Sequence, residues 1–243
     1  MPLLDAVQTG VANKAPLILV HGPSGSRKTQ MAVDAKALIL QTEDGLGNRD
    51  AARLPIKKVQ DLYDVIKELA TVDHPYQAVA VDSLDHLVPL VAQKVCDENG
   101  KATLEAFGYG KGAIAELDEW RKVFRGFIYL RDRKNIPVIL IAHQTIRSVN
   151  DPTQMEPYDR LEPKLPKAVN GLAKELADVL GCVVPQITLK ENDKEQTRAI
   201  GTGDFLLHIN QKPSIEAKNR YDLNGPIGMS WGALSQAIAG ASK

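Results

Sequence analysis

Net charge is missing from this chain. Its thirty basic and thirty acidic residues cancel over 243 positions, so no global field draws it to nucleic acid or to a membrane, and any such binding must be local. Cysteine is nearly missing too. Cys96 and Cys182 lie far apart with no C-x-x-C spacing, which argues against a cysteine zinc site and a disulfide scaffold and fits a reducing, cytoplasmic setting. No uninterrupted apolar run approaches the ~20 residues that span a bilayer, and no N-terminal stretch has signal-peptide form, so a soluble protein with no membrane partner is expected. Internal repeats, low-complexity tracts and evident linkers are also absent. The hydrophobic content of 44% and charged content of 25% are ordinary for a globular protein. The length suits one α/β domain over 1–243, with a short N-terminal tail of about 1–14.

Against that background one stretch stands out: Gly22-Pro23-Ser24-Gly25-Ser26-Arg27-Lys28-Thr29-Gln30, directly after the apolar run Leu17 to Val20. The pattern G-x-x-x-x-G-K-[ST] makes a loop whose backbone N–H groups wrap a polyphosphate, with Lys at the β/γ-phosphates and the hydroxyl on Mg²⁺. Gly22, Lys28 and Thr29 fit it. Arg27 replaces the second glycine, where the lack of a Cβ normally lets the backbone approach the phosphate. Its side chain either swings outward and adds charge near the phosphates, or its Cβ crowds them. The bland alternative to a nucleotide site is a plain strand-to-helix connection.

Short apolar segments at Leu17 to Val20, Leu38 to Gln41, Ala78 to Val81 and Val138 to Ala142 read as buried parallel strands. Helical patterns at about 28–37, 60–70, 83–98 and 113–133 separate them. In the last, Ile114, Leu117, Trp120, Val123 or Phe124, Phe127 and Leu130 form a core stripe. Two stretches break the alternation: Asn99 to Gly112, with four glycines, and Thr145 to Pro166, with four prolines and little periodicity, both read as loops. After a helix at about 167–177 the chain turns β-rich over Val179 to Lys190, Thr197 to Gly201 and Phe205 to Ile209, with a turn at Glu191 to Lys194. A short helix from Trp231 to Ile238 closes it. The fold class expected is α/β: a mostly parallel sheet flanked by helices, with antiparallel strands added near the C-terminus.

Three strands end in polar residues. Asp82, after Ala78 to Val81, suits a Mg²⁺ ligand at a strand tip, or else caps the next helix. Glu43, after Leu38 to Gln41, is placed to accept a proton from an attacking water; a surface-turn role, as for Asp44 before Gly45, is the alternative. His143 and Gln144, after Val138 to Ala142, can contact the γ-phosphate and report its loss to the following loop, or His143 is a satisfied structural group.

The order of these features resembles the RecA-like recombinase core. Glu43-Asp44-Gly45, Phe107 to Gly112, Ile141-Ala142-His143 and Ala217 to Tyr221 look more narrowly like phage-encoded AAA-type nucleotide-binding proteins, a group that includes core-only RecA-like single-strand annealing proteins. The resemblance spans about residues 15–238. It implies an ATPase, with ATP and Mg²⁺ as cofactors, that assembles as a ring or filament on single-stranded DNA and promotes annealing or strand exchange in phage recombination. A bacterial host cytoplasm and a single-strand-binding protein as companion follow from it. Glu43 matches the family's water-activating glutamate, and Gln144 or His143 its polar switch. The stretches 99–112 and 145–170 match the DNA-facing loops, which places Tyr109, Lys111, Arg147, Arg160, Lys164 and Lys167 as DNA contacts. Lys218-Asn219-Arg220 resembles the basic pair that reaches a neighbouring subunit's ATP; read by itself, it is a solvated surface patch. Arg27 and the short N-terminus, without a separate helical or winged domain, depart from the family pattern.

The residues alone give thinner support for DNA. Asp151, Glu156, Asp159 and Glu162 offset the four cations of the second loop, whereas counterion release needs clustered cations. Phe107, Tyr109 and Tyr158 either stack on bases or pack back onto the domain. Two other functions stay open: a nucleotide-binding scaffold with little turnover, and a helicase-like motor.

Overall fold

In the computed structural model, residues 3–7, 9–10, 14–191 and 197–241 are described. Among these described residues, ten strands and six helices follow one another in a βα alternation that ends in an antiparallel segment. The strands are β1 (Leu17–Gly22), β2 (Ala37–Gln41), β3 (Arg53–Pro55), β4 (Ala78–Asp82), β5 (Val138–Val149), β6 (Tyr158–Pro163), β7 (Val179–Glu191), β8 (Thr197–His208), β9 (Lys218–Asn219) and β10 (Ile227–Gly228). The helices are α1 (Lys28–Asp34), α2 (Val59–Thr71), α3 (Leu84–Glu98), α4 (Lys111–Lys134), α5 (Lys167–Leu176) and α6 (Trp231–Ala241). The main sheet runs β10-β8-β7-β1-β5-β4-β2-β3. From β7 through β3 the pairing is parallel, while β8, β9 and β10 join antiparallel. This is the expected architecture.

The central strands are uninterrupted apolar runs because both faces are covered. Successive β1 side chains go to opposite faces. Leu17 and Leu19 pack with α2, α3, α4 and α5, while Ile18 and Val20 pack with Met31 of α1 and with Leu234 and Ile238 of α6. Polar side chains therefore have room only at the strand ends. The register aligns those ends, with Gly22 opposite His143, Asp82 opposite Ile141, and Gln41 opposite Asp82.

Three sequence expectations change. The stretch Thr145 to Pro166 is not a structureless loop: β5 continues past the sheet to Val149 and pairs with β6, from Gln144 opposite Pro163 to Val149 opposite Tyr158. Its prolines sit outside or at the end of the paired register, so they leave the ladder bonds intact. Thr197 to Gly201 and Phe205 to Ile209 merge into the single strand β8, and the turn expected at Glu191 to Lys194 lies, past Glu191, outside the described residues. In α4 the core stripe holds from Trp120 to Leu130, but Ile114 is exposed, because the first turn buries Gly112 and Glu116 instead.

The segment 99–110 is docked rather than free, with a 3-10 turn at Glu105–Phe107. Gly112 makes the docking feasible: a Cβ there would lie 2.1 Å from the Leu104 carbonyl oxygen. Gly112→Ala should cost about 1–3 kcal/mol of stability in urea unfolding. Gly171→Ala, in α5 with nothing within 4 Å of the added Cβ, should instead stabilise by about 1 kcal/mol. A destabilisation of equal size at both positions would show that the Leu104 contact is not what constrains Gly112.

Candidate nucleotide site

Gly22 ends β1 against β7, where a Cβ would meet Val183 Cβ at 2.7 Å and Ser26 Oγ at 3.0 Å. Only glycine fits this approach. From there the loop turns through Gly25 and Arg27, both with positive φ (75° and 64°), an alternation of handedness that gathers backbone N–H groups into an anion-binding concavity. Lys28 folds into that loop, its Nζ donating to the Gly22 carbonyl (2.9 Å), the Pro23 carbonyl (2.7 Å) and Ser26 Oγ (3.3 Å). Burial pushes its ammonium below the usual lysine range, and the carboxylates of Asp82, Glu43 and Asp85 oppose the shift. Ser26 Oγ itself donates to Pro23 O at 2.7 Å. Ser24 is an exposed loop residue, and Gln30 on α1 turns outward to Asp34 and Arg49.

Arg27 holds the left-handed backbone that the motif's second glycine would supply, and its side chain takes the outward alternative. Its guanidinium donates to Gly203 O at 3.4 Å and lies 3.9 Å from Asp204, with the side chain 55% exposed.

From the first turn of α1 to the tip of β4, Thr29 Oγ1 donates to Asp82 Oδ2 at 2.7 Å. Asp82 is buried; desolvation pushes its carboxyl above the usual range, the Thr29 hydrogen bond pulls it back, and the Glu43 charge raises it further. A hydroxyl and a carboxylate so placed are the hard oxygen donors that Mg²⁺ takes. Glu43, one residue past the Thr42 that hydrogen-bonds Ser83 O and Asp82 O, stands beside them with its side chain 24% exposed. Gly45 backs it, a Cβ there lying 3.8 Å from Glu43 Cγ and 4.0 Å from Asp82 Oδ2.

His143 enters through a residue that the sequence reading passed over. Asp85, in the first turn of α3, accepts the His143 backbone N–H at 3.0 Å and pairs with its Nδ1 at 2.9 Å. Burial raises the Asp85 carboxyl, but these hydrogen bonds outweigh it and hold the group below its ordinary range. His86 follows, its Nδ1 lying 2.9 Å from Ser83 Oγ, 3.3 Å from Glu43 Oε2 and 3.6 Å from Asp85 Oδ2. The signal was there: Asp82, Asp85 and His86 span a strand tip and one helical turn, so their spacing brings them to the same edge. Gln144 is half-buried, and its Oε1 is buried without a partner.

The remaining expected residues lie elsewhere. Lys218 donates to the carbonyls of Lys174 (2.8 Å) and Glu175 (3.1 Å), and Arg220 to Glu175 O (2.6 Å) and Asp178 (3.1 Å). They cap the C-terminus of α5, where cations suit the helix dipole. Asp178 also receives the Leu17 N–H at 2.9 Å, so the pair sits at the opposite edge from Gly22, roughly 16 Å away by strand rise. On the β5–β6 hairpin, Arg147 bonds Leu165 O and lies 3.5 Å from Glu162, while Arg160 bonds Pro213 O and stacks on Tyr158 at 5.4 Å. Lys164, Lys167, Lys111 and Tyr109 are exposed, and Phe107 is half-buried.

Comparison with known proteins comes to the same region of the chain. The family model described as "AAA domain" matches residues 14–221. A solved structure titled "Crystal structure of the RadB recombinase" is similar at 18% identity and a TM-score of 0.42, covering 84% of this chain and 93% of that one. No curated protein matches the sequence.

Arg27→Gly removes the left-handed strain of a side-chain-bearing residue but adds glycine's chain entropy, a net gain of roughly 0.5 kcal/mol. Its exposed ion pair with Asp204 contributes little against this. The melting temperature should rise by about 1–2 °C; a fall would mean that the Gly203 and Asp204 contacts outweigh the strain.

Proposed function

Since the chain belongs to the AAA domain family, we propose that it is a RecA-like, recombination-type ATPase that acts on single-stranded DNA, binding and hydrolysing ATP to control its assembly there. The observation that carries this reading is the 2.7 Å bond between Thr29 and Asp82 beside a buried Lys28 and an accessible Glu43. One strand edge then holds a phosphate cradle (Gly22 to Gln30), a metal-binding oxygen pair (Thr29, Asp82) and a proton acceptor (Glu43). When bound, Mg²⁺ would neutralise charge on the β- and γ-phosphates. Lys28 would bind the same phosphates through its ammonium, and Glu43 would accept the proton of the attacking water.

His143, fixed by Asp85, and Gln144, with its free Oε1, lie midway along β5, where the strand leaves β1 and runs on into the β5–β6 hairpin. A change at the γ-phosphate would reach that hairpin through continuous paired backbone, which favours it as the DNA-facing element. Arg160, Lys164 and Lys167, with Tyr109 and Lys111 from the other loop, are the cations and aromatic offered to phosphates and bases. Lys218 and Arg220 sit at the far end of β1 from Gly22, beyond reach of the chain's own site; a trans role in a ring or filament would require them to leave the α5 cap. Annealing in a phage setting, beside a single-strand-binding protein, is the finer form of this reading.

Lys28→Ala should abolish ATP binding in calorimetry. Glu43→Gln should retain binding while turnover falls by about 10²–10⁴-fold, because the amide keeps the shape but cannot take a proton. Parental turnover in Glu43→Gln would move the base elsewhere. Stimulation of hydrolysis by single-stranded DNA supports the recombination reading, ATP binding without turnover the scaffold, and duplex unwinding the motor.

A further inference from the structure

Beside the oxygen pair of Thr29 and Asp82 lies a second cluster of different chemistry. Ligand atoms of Glu43, His86 and His143 all lie within 4.8 Å of one another. We propose that these three side chains form a binding site for a transition-metal cation of the Zn²⁺ type, one that takes Glu43 as a ligand. Zn²⁺ holds nitrogen and oxygen donors at about 2.0–2.2 Å in tetrahedral array, which sets neighbouring donors roughly 3.4 Å apart. His86 Nδ1 and Glu43 Oε2 are already 3.3 Å apart. The third ligand closes by about an ångström or so of side-chain movement on this scale.

The surroundings prepare the imidazoles. Asp85 takes both the His143 backbone N–H (3.0 Å) and its Nδ1 (2.9 Å), which leaves the other ring nitrogen for an ion. This is the carboxylate–histidine arrangement that orients metal ligands from behind. His86 stands edge-on to His143 with ring centroids 5.7 Å apart, and its Nδ1 would exchange Ser83 Oγ at 2.9 Å for the ion while Asp85 Oδ2 stays 3.6 Å away. The side chains are 45% exposed for His86 and 24% for both Glu43 and His143, so an ion can enter and keep a water as its fourth ligand. Two imidazoles select Zn²⁺, Co²⁺, Ni²⁺ or Cu²⁺ over Mg²⁺, which demands oxygen. The functional consequence rests on the proposed ATPase: a Glu43 carboxylate ligated to metal cannot accept a proton from water, so the metal would stop turnover without displacing nucleotide.

The test uses the full chain without ATP or Mg²⁺. Zn²⁺ titration in a calorimeter should show one ion bound per chain, and Co²⁺ should give the intense visible absorption of a four-coordinate site. His86→Ala should weaken binding at least tenfold, and Asp85→Asn by about 10–100-fold through loss of the His143 orientation. His74→Ala, on a histidine that stacks on Tyr76 away from the cluster, should leave binding unchanged. Absence of binding, or binding indifferent to His86→Ala, overturns the site and leaves His86 as a partner of Ser83 that stands beside Glu43. Since no nucleotide is present, a chain that bound Zn²⁺ in this way yet never hydrolysed ATP would overturn the ATPase reading and leave the metal site standing.

Discussion

A parallel sheet covered on both faces leaves nowhere along its strands for a polar side chain, and the rest of this molecule depends on that exclusion. Leu17 to Val20, Leu38 to Leu40, Ala78 to Val81 and Val138 to Ala142 are buried throughout, so the first residues able to carry function are those just past each run. Because the register is parallel and the ends align, those residues arrive at one edge from four separate parts of the chain: Gly22 to Thr29, Thr42 and Glu43, Asp82, and His143. In such sheets the carboxyl ends of the strands are where ligands bind. The Thr29 to Asp82 hydrogen bond is the direct product of this geometry, two groups 53 residues apart meeting at 2.7 Å.

What the sequence made legible follows the same logic. A strand buried on both faces is written as a short apolar run, so the positions of β1, β2, β4 and the inner half of β5 could be read, along with the polar residues that end them. The outer half of β5 could not. Beyond His143 the strand leaves β1 and pairs with β6, so Gln144 to Val149 mixes polar and apolar residues, and the Pro residues between the two strands resemble a loop. Asp85 and His86 escaped for another reason: their importance lies in what they touch from the first turn of α3, and only the fold brings His143 to Asp85 and Glu43 to His86. Lys218 and Arg220 are a different case: the run by itself suggested a solvated patch and the resemblance a contact across subunits, while within the chain both side chains reach carbonyls at the end of α5.

Arg27 shows how a motif can lose a signature residue and keep its shape. Glycine at that position supplies a positive φ at little cost, yet a non-glycine residue reaches the left-handed region for about 1–2 kcal/mol. The surroundings hold it there: Gly22 packs on Val183, Lys28 grips the Gly22 and Pro23 carbonyls, and the guanidinium rests near Gly203 and Asp204. The loop's form is thus set by several contacts around it, not by the one residue that pattern matching weighs most heavily.

The electrostatics of the edge lead further. Lys28 is one cation among Asp82, Glu43 and Asp85, three carboxylates near enough to raise its ammonium's affinity for a proton against the cost of burial. Asp82 responds to the same crowding, its carboxyl pushed up by burial and by Glu43 and eased only by the hydroxyl of Thr29 and the charge of Lys28. An edge with this excess of negative charge repels a polyphosphate unless a cation comes with it. The Thr29 and Asp82 oxygens would give a hard divalent ion its place, and that ion would in turn let phosphate oxygens approach acidic groups that otherwise exclude them. Nucleotide and metal are therefore expected to bind as a couple, each weak without the other, with Glu43, less buried than Asp82 or Asp85, left free to meet a water.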